Sequence, residues 1–353
     1  MLALAGYPLG LRFVFLDQSD DAPGAQVGRI VQGAFDDPKG LAELARAVDV
    51  VTFDVENVPV DAIREIAAKK PFLPPPDALG ASQDRLDEKT LFRSLRIPTP
   101  EFAAVDSRND LIAAVRKIGL PGVLKTRRLG YDGRGQYFLR SNADVDLAWN
   151  ALGTVPLIYE GFVEFSREVS IIGMRSTAGE IASYPLSANT HSAGILRYSI
   201  APYRNSALQR QAESYLKRLM KHFDYAGVLT IEFFVKRGQL IANEMAPRVH
   251  NSGHWTIEGA ATSQFENHVR AILGLPLGST RPIGHSAMVN FIGTIPTAEQ
   301  VLAIPGVHYH SYGKEPRPNR KLGHCTVVGS SPQTRDKALR QLLRVRDLSA
   351  KTR

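Results

Sequence analysis

The sequence has almost no cysteine and no long apolar run, and both absences restrict what the protein can be. Cys325 is the only cysteine in 353 residues, so the chain forms no internal disulfide or thiolate metal cluster, and we expect a small buried hydrophobic residue there. No stretch of 18 or more apolar residues is present, which excludes a membrane-spanning helix. The apolar opening MLALAGYPLGLRFVFL lacks a basic segment before it and is interrupted by Arg12. We therefore reject a signal peptide and expect a cytoplasmic protein.

The composition is that of a globular protein with a positive charge. Hydrophobic residues make up 44% of the chain and charged residues 22%, and at roughly 100–200 residues per domain two or three domains are expected. The net charge is +8 and the pI is near 9.5. This charge favours anionic partners such as nucleotides, phosphates or nucleic acid, but it does not indicate a fold.

The order of elements predicts an α/β (α+β) protein of three parts. Residues 1–101 alternate strand and helix patterns, which is typical of a parallel sheet covered by helices. Residues 102–165 predict a small α/β unit, and residues 166–353 a mostly β unit. The predicted strands of the outer parts are 11–17, 49–57, 168–175, 181–188, 195–201, 227–236 and 240–246. The predicted helices are 36–48, 60–70, 82–95 with Ser82 as N-cap, 107–118, 142–152, 206–223 and 252–273, and PFLPPPD (71–77) is a non-helical connector.

Residues 125–136, KTRRLGYDGRGQ, combine basic residues with three glycines. The spacing G-x-x-G-x-G matches neither the Walker nor the Rossmann pattern, and the loop lies between two predicted strands instead of opening a helix. We interpret it as a flap whose backbone N–H groups close over phosphates, with Lys125 at the end of the preceding strand. A flexible surface hairpin is the open alternative, because the loop alone does not decide between them.

Two glutamates are predicted to face each other on a hairpin. If KRGQ contains a three-residue loop, Arg237–Gln239, Glu232 lies opposite Glu244 and Phe234 opposite Ala242. Facing carboxylates repel unless a cation lies between them. Mg²⁺ accepts one or two carboxylates and completes its shell with nucleotide phosphates. The alternative, two solvated glutamates, is weakened by their apolar neighbours.

A cation, a titratable ring and an amide follow this hairpin within a few residues. Arg248, His250 and Asn251 precede a predicted helix start at Ser252. Such a group resembles an oxyanion-binding arrangement. A lone histidine is usually structural, but this one has charged and polar neighbours.

Several motifs together resemble the ATP-grasp superfamily. They are Lys125, GYDGRGQ (130–136), YEGFVEFSREVS (159–170) and NEMAPRVHNSGHW (243–255). Within that superfamily, GYDGRGQ, YPLSANTHSAGILR (184–197), NEMAPRVHNSGHWT and YGKEPRPNRKLGH (312–324) are similar to the 5-(carboxyamino)imidazole ribonucleotide synthases of purine biosynthesis. The resemblance runs from about Met1 to about Gly329, and the motifs in this order are highly specific.

The resemblance implies a fold and an activity. It implies an N-terminal parallel-sheet (pre-ATP-grasp) domain at 1–101, a lid subdomain at 102–165 and a mostly antiparallel ATP-grasp domain at 166–353 with a family-specific extension from about 285. It implies that ATP activates bicarbonate as carboxyphosphate, which carboxylates 5-aminoimidazole ribonucleotide and releases ADP and phosphate on the way to IMP. The implied cofactors are ATP and Mg²⁺, with Mn²⁺ as a substitute, and the implied assembly is a homodimer without nucleic acid or membrane.

The resemblance also implies roles for individual residues. The implied ATP contacts are Arg85, Lys125, Gly130, Tyr131, Asp132, Gly133, Arg134, Gly135, Gln136, Glu160, Gly161, Phe162, Val163, Glu168, His191, Asn243 and Glu244. Glu160, Phe162 and Val163 would meet the adenine, and Glu168 the ribose. The implied metal ligands are Glu232 and Glu244, and the implied catalytic residues are Arg248, His250, Asn251 and Asp132. The implied ribonucleotide contacts are Glu56, Tyr131, Asp132 and Arg134, with Lys314, Arg320 and Lys321 on its phosphate.

Some alternatives stay open. Glu56 could cap the helix that follows Pro59, and KEPRPNRK (314–321) could be a solvated turn, which leaves the choice among Lys314, Arg317, Arg320 and Lys321 undecided. A formate-dependent ribonucleotide transformylase or a biotin carboxylase would share the ATP and Mg²⁺ residues and differ only in the acceptor site. A nucleic-acid-binding protein, suggested by the pI and the tail RQLLRVRDLSAKTR, lacks an aromatic-interleaved basic patch, and failure to bind oligonucleotides at any salt concentration would eliminate it.

We expect Asp132→Ala to impair use of the ribonucleotide far more than ATP binding, because Asp132 lies on the flap but would face the acceptor amine. Steady-state kinetics with each substrate varied in turn measures the two effects. Equal loss for both substrates would mean that Asp132 only shapes the phosphate lid.

We also expect the chain to lack its natural beginning. The helix pattern LALAGYPLG has no strand or N-cap before it, and the apolar run LRFVFLD predicts a strand buried between two neighbours. The resemblance implies a preceding strand and a glycine-rich turn, together about fifteen residues. Ribonucleotide affinity should then be poor while ATP binding survives. Intact-mass analysis of the protein from its native cells tests this, and a start at Met1 with normal ribonucleotide use would refute it.

Overall fold

A computed structural model describes residues 1–20, 22–130 and 133–351, apart from the side chains of Ala350 and Lys351. The helices are α1 (Leu2–Gly6), α2 (Pro38–Ala47), α3 (Val60–Ala67), α4 (Pro76–Gln83), α5 (Arg85–Ser94), α6 (Arg108–Ile118), α7 (Asp144–Leu152), α8 (Ser206–His222), α9 (Thr256–Gly259), α10 (Gln264–Ile272), α11 (Ala298–Leu302) and α12 (Pro332–Lys351). The strands are β1 (Val14–Asp17), β2 (Arg29–Gln32), β3 (Phe102–Val105), β4 (Gly122–Thr126), β5 (Gln136–Leu139), β6 (Leu157–Gly161), β7 (Arg167–Arg175), β8 (Ile181–Ser183), β9 (Ser187–Ser192), β10 (Ile195–Ala201), β11 (Gly227–Lys236), β12 (Gln239–Ala246), β13 (His285–Ile292), β14 (Val307–Ser311) and β15 (Lys321–Gly329). No helix within these ranges is long and apolar enough to cross a membrane.

The first part of the chain contains a parallel pair of strands with helices packed against it, as predicted. β1 and β2 pair in parallel. Asp37 is the N-cap of α2, and its carboxylate accepts hydrogen bonds from the backbone N–H groups of the first helical turn. The predicted strand 49–57 is wrong: only an isolated bridge joins Val51 to Phe72. The partner segment 71–76 contains four prolines, which cannot donate ladder hydrogen bonds. Among the described residues β1 pairs with β2 alone and is half-buried, so the second neighbour that its apolar sequence predicts is not present.

Two predicted helices are broken. In place of the helix predicted at 82–95, α5 begins at Arg85, and its N-cap is Asp84, whose side chain accepts from Leu86 N at 2.9 Å. The Ser82 hydroxyl instead donates to Leu79 O within α4. The predicted N-cap is therefore wrong, and α4 begins inside the predicted connector because proline is tolerated in a first helical turn. The helix predicted at 252–273 is interrupted where Ala260 forms a bridge with Pro282.

The middle of the chain forms the predicted small α/β unit. Its four antiparallel strands lie in the order β3-β6-β4-β5, and α6 and α7 pack against them around buried leucines such as Leu111 and Leu124. Lys125 lies near the end of β4 and directly opposite Gln136 on β5. The glycine loop therefore connects two adjacent strands.

The rest of the chain is dominated by an antiparallel nine-stranded sheet. Its order is β12-β11-β7-β9-β10-β13-β15-β14, with β8 paired to β7. α8 packs over one face, and α10 contacts β7 and β11. α12, which covers β13 and β15, was not predicted as a helix. This architecture confirms the predicted fold class and leaves β12 at the edge of the sheet.

The glutamate hairpin has the predicted pairing for a different reason. Its loop is a two-residue turn, Arg237–Gly238, in which both residues have positive φ, 50° and 75°. A bulge at Asn243 then shifts the register by one residue, so Glu232 does lie opposite Glu244. Between the bulge and the turn the predicted register is wrong, because Ala242 faces Phe233 instead of Phe234.

Candidate active site

A cavity of about 470 Å³ collects most of the predicted site residues. It lies where the first part of the chain, the small α/β unit and the large sheet meet. The predicted residues that line it are Glu56, Arg85, Lys125, Gly130, Gly133, Gln136, Glu160, Gly161, Phe162, Val163, Glu168, His191, Glu232, Asn243, Glu244, Arg248, His250, Asn251 and Lys321.

One end of the cavity contains a buried charge cluster. Glu160, at the end of β6, lies 2.9 Å from Lys125 Nζ and 3.9 Å from Lys89 Nζ through its Oε2 atom. Burial alone would raise the pKa of Glu160, but Lys125 and Lys89 together lower it to about 2. Glu160 Oε1 is buried without a hydrogen-bond partner in the described part of the chain. This atom is therefore available to a donor from a ligand.

The facing carboxylates of the hairpin have different environments. Arg85 Nη1 lies 3.5 Å from Glu244 Oε2, and although burial opposes the shift, Arg85, Lys125 and Lys89 lower the pKa of Glu244. Glu232 lies 3.5 Å from His250 Nε2 and 4.0 Å from His191 Nε2. Burial, reinforced by Glu244 and opposed by His191, raises the pKa of Glu232 to about 7. The pair therefore carries charge that the described side chains do not fully balance.

This pair fits a divalent cation that is completed by a ligand. No group of three His, Cys, Asp or Glu side chains among the described residues is arranged to hold a metal alone. Two carboxylates are, however, the usual protein contribution to an Mg²⁺ site in which phosphates and water supply the remaining oxygens. Burial is the main cause of the raised pKa of Glu232, and a cation there would offset the repulsion from Glu244 that adds to it.

Two histidines lie beside Glu232, and their pKa values shift in opposite directions. His191 Nδ1 lies 2.9 Å from Glu168 Oε2; burial opposes protonation, but this bond and the charge of Glu232 raise the pKa of His191. Burial, with Arg248 nearby, holds the pKa of His250 well below its ordinary value. Ser252 N donates to His250 Nδ1, so the proton lies on Nε2, 3.5 Å from Glu232 Oε1.

The three residues predicted to bind an oxyanion, Arg248, His250 and Asn251, line the cavity. Arg248 Nε lies 3.1 Å from Glu56 Oε1, which brings a residue of the first part of the chain into the site. α3 is preceded by Pro59 without a side-chain cap, so the alternative role of Glu56 as a cap is wrong. Asn251 exchanges two hydrogen bonds with Asn290, at 3.0 and 2.7 Å, which fix its amide orientation.

The glycine loop is held next to the carboxylates by Arg85. Arg85 Nη2 donates to Gly130 O at 3.0 Å, so one guanidinium contacts both the loop and Glu244. Gly133 and Gly135 have φ of 78° and 68°, and a Cβ at Gly135 would lie 2.5 Å from Thr126 Oγ1, so both positions favour glycine. Tyr131 and Asp132 lie outside the described residues, and Arg134 is not part of the cavity lining.

The basic turn 314–321 contributes only its end to the cavity. Lys321 lines it. Lys314 and Arg320 are not part of the lining; Lys314 Nζ lies 5.6 Å from the ring centroid of Tyr312, and Arg320 Nη1 donates to Glu315 O at 3.0 Å. Their contact with a ribonucleotide phosphate stays a prediction.

Sequence reasoning missed three side chains near this cavity. Glu88 and Lys89 are buried on α5, and burial raises the pKa of Glu88 to about 8. Asn290, on β13, is the partner of Asn251. The sequence did contain an indication that Lys89 is buried. By their spacing Arg85, Lys89 and Phe92 share one face of the helix, and the apolar Phe92 marks that face as the one that packs into the core.

Three families match successive segments of the chain. Residues 1–83 match the ribonucleotide synthetase preATP-grasp domain, residues 90–265 the ATP-grasp domain, and residues 286–338 the phosphoribosylaminoimidazole carboxylase C-terminal domain.

Individual relatives and solved structures agree with these matches. The chain is 52% identical to an N5-carboxyaminoimidazole ribonucleotide synthase of Pseudomonas aeruginosa over 327 residues, which covers 93% of this chain and 91% of that protein. The crystal structure of the N5-carboxyaminoimidazole ribonucleotide synthetase from Thermus thermophilus matches with a TM-score of 0.94 and 52% identity, covering 98% and 95% of the two chains. A second crystal structure also matches, with a TM-score of 0.90 and 30% identity, covering 98% of this chain and 95% of the other. It is the structure of an Aspergillus clavatus synthase in complex with ADP and 5-aminoimidazole ribonucleotide.

We expect the stabilising effect of the Glu160 cluster to depend on pH. The pKa of Glu160 is about 2 in the folded state against an ordinary 4.5, which corresponds to about 3 kcal/mol of folding stability at neutral pH. Because the folded pKa is the lower one, this contribution is complete above pH 4.5 and disappears as the pH falls toward 2. Urea unfolding should therefore show Glu160→Gln less stable than the wild type at pH 7, with a difference that narrows below pH 4.5. A difference that stays constant down to pH 3 would contradict the assignment.

Proposed function

The chain belongs to the ATP-grasp enzymes, within the family of N5-carboxyaminoimidazole ribonucleotide synthases, and from this premise we propose that it carboxylates 5-aminoimidazole ribonucleotide with bicarbonate at the expense of ATP. The products would be 5-carboxyaminoimidazole ribonucleotide, ADP and phosphate, in purine biosynthesis.

The observation that carries this proposal is the shared cavity. Its lining combines Glu56 from the first matched segment, the carboxylates and Arg248 from the second, and Lys321 from the third. Glu56 and Lys321 lie outside the segment that matches the ATP-grasp domain, yet they line the same cavity as its carboxylates. The participation of the other two segments supports a second substrate bound beside ATP.

We assign the adenine to the end of the cavity formed by β6. The unpartnered Oε1 of Glu160 would accept a hydrogen bond from the adenine amino group. Phe162 and Phe234 offer apolar surface at the same end. Glu168 already holds His191, and its remaining oxygen would accept from a ribose hydroxyl.

The triphosphate would extend toward the hairpin. Lys125 and Arg85 would supply positive charge, and the N–H groups of Gly130, Gly133 and Gln136, which line the cavity, would supply backbone donors. Glu232 and Glu244 would hold Mg²⁺, which when bound neutralises the charge on the phosphate oxygens. Phosphoryl transfer needs mainly positioning and charge neutralisation, and these residues provide both.

The chemistry would then take place over Arg248 and Asn251. A bicarbonate oxygen attacks the γ-phosphorus, the bond to the β-phosphate oxygen breaks, and ADP leaves. The amine nitrogen of the ribonucleotide attacks the carboxyl carbon of carboxyphosphate, and the bond from that carbon to the phosphate oxygen breaks. Arg248 and the Asn251 amide would donate to the developing anionic oxygens. The proton that the nitrogen loses is assigned to Asp132, which lies outside the described residues.

One experiment tests the whole proposal. Purified protein is incubated with ATP, Mg²⁺, bicarbonate and 5-aminoimidazole ribonucleotide, and ADP release is followed with each component omitted in turn. Full turnover should require all four. Turnover with formate, or with biotin instead of the ribonucleotide, would favour a related ATP-grasp ligase. Light scattering on the same preparation tests the homodimer that the family resemblance implies.

We expect Glu244→Gln to leave the fold intact and to remove most turnover, because one of the two carboxylate charges that would hold Mg²⁺ is lost. ADP release at ordinary Mg²⁺ and circular dichroism are the measurements. Glu299→Gln, an exposed change on α11, is the matched control and should behave as wild type. Near-full activity of Glu244→Gln would refute the metal assignment.

A further inference from the structure

The outer edge of β12 is bonded to groups that belong to no strand. Ala242 N donates to Pro98 O at 2.7 Å, and Ala242 O accepts from the Thr99 hydroxyl at 3.0 Å. An edge strand otherwise leaves such groups to water or to another chain. Here Pro98 and Thr99, in the segment between α5 and β3, cover them.

Two side chains of α5 continue this contact on either side of Glu244. Lys89 Nζ donates to Asn243 O and, at 3.4 Å, to Ala242 O. Glu88 Oε1 accepts from Met245 N at 2.6 Å. Lys89 is fully buried and Glu88 is 2% exposed, so neither acts as a solvated surface charge.

Core stability alone does not explain a buried ammonium at position 89. Burying a charge is unfavourable, and a leucine beside Phe92 would fill similar space. What a leucine could not do is donate to the carbonyl oxygen of Asn243, the extra residue of the bulge. Lys89 also shares Glu160 with Lys125, so it connects the adenine end of the cavity to the carboxylate strand.

We propose that Glu88 and Lys89 are positioning residues that hold the bulged segment 242–245, and with it Glu244, in the geometry that nucleotide-bound Mg²⁺ requires. The inference rests on the proposed function. Lys89 does not line the cavity, and it acts through the backbone of Ala242 and Asn243. Glu88 acts through the N–H group of the residue that follows Glu244.

The test compares Lys89→Met, Glu88→Ala and Glu88→Gln with the wild type. The first two remove the contacts to the segment, whereas glutamine keeps an acceptor for Met245 N. Lys89→Met and Glu88→Ala should raise the Mg²⁺ concentration needed for half-maximal ADP release roughly tenfold, with the KM for the ribonucleotide little changed. Glu88→Gln should stay close to wild type. Calorimetric titration with Mg²⁺ and a non-hydrolysable ATP analogue should show the same order without turnover.

A matched control separates positioning from general destabilisation. Leu342→Ala removes a fully buried side chain of α12 and should lower stability without changing the Mg²⁺ requirement. Thr99→Val removes only the hydroxyl that donates to Ala242 O, and it replaces Lys89→Met if that variant does not fold. It should raise the Mg²⁺ concentration needed for half-maximal ADP release roughly threefold.

The outcomes are distinct. A normal Mg²⁺ requirement in folded Lys89→Met and Glu88→Ala, or in Thr99→Val where those do not fold, would overturn the inference while leaving the proposed function in place. Equal defects in Glu88→Gln and Glu88→Ala would also overturn it. A wild-type protein that releases no ADP under any condition would instead refute the proposed function.

Discussion

The pairing of buried charges is the constraint on which the rest of the site depends. Glu160 keeps its charge inside the protein because two lysines face it, and Glu244 keeps its charge because of Arg85. Glu232 lies beside His250 and His191, and burial raises its pKa to about 7. The carboxylate pair Glu232 and Glu244 is therefore the part of the cleft where a ligand-borne cation fits.

This balance requires contributions from separate parts of the chain. Arg85, Glu88 and Lys89 come from α5, Lys125 and Glu160 from the small sheet, and the carboxylate pair from the edge of the large sheet. Each charge is tolerated only when the others are in place, since an unpaired buried charge is strongly unfavourable. The charges of the site are therefore stable only when the three parts of the chain pack against one another.

The bulge at Asn243 shows how local geometry serves this arrangement. It restores the pairing of Glu232 with Glu244 after a tight two-residue turn, and it leaves carbonyl groups on the outer edge of β12 that Lys89 and Thr99 satisfy. An edge strand is the place where such irregularity is tolerated, because no neighbouring strand must follow it.

The sequence by itself determined the strands and helices with strong periodicity, the glycine loop and the motif NEMAPRVHNSGHW (243–255). These features depend on residues that are close together in the chain. It predicted Glu232 opposite Glu244, but through a loop length that was one residue too long, since neither a bulge nor a type I′ turn is separable from its alternatives by local pattern. Glu88 and Lys89 were missed because a charged residue on a helix predicts solvent. Only the tertiary structure decided that this face of α5 is buried against β12, that Glu56 meets Arg248, and that Lys321 alone of its turn reaches the cavity. These contacts join residues that are far apart in the chain, and the free energy that selects them comes from burial and charge pairing that exist only once the parts have packed.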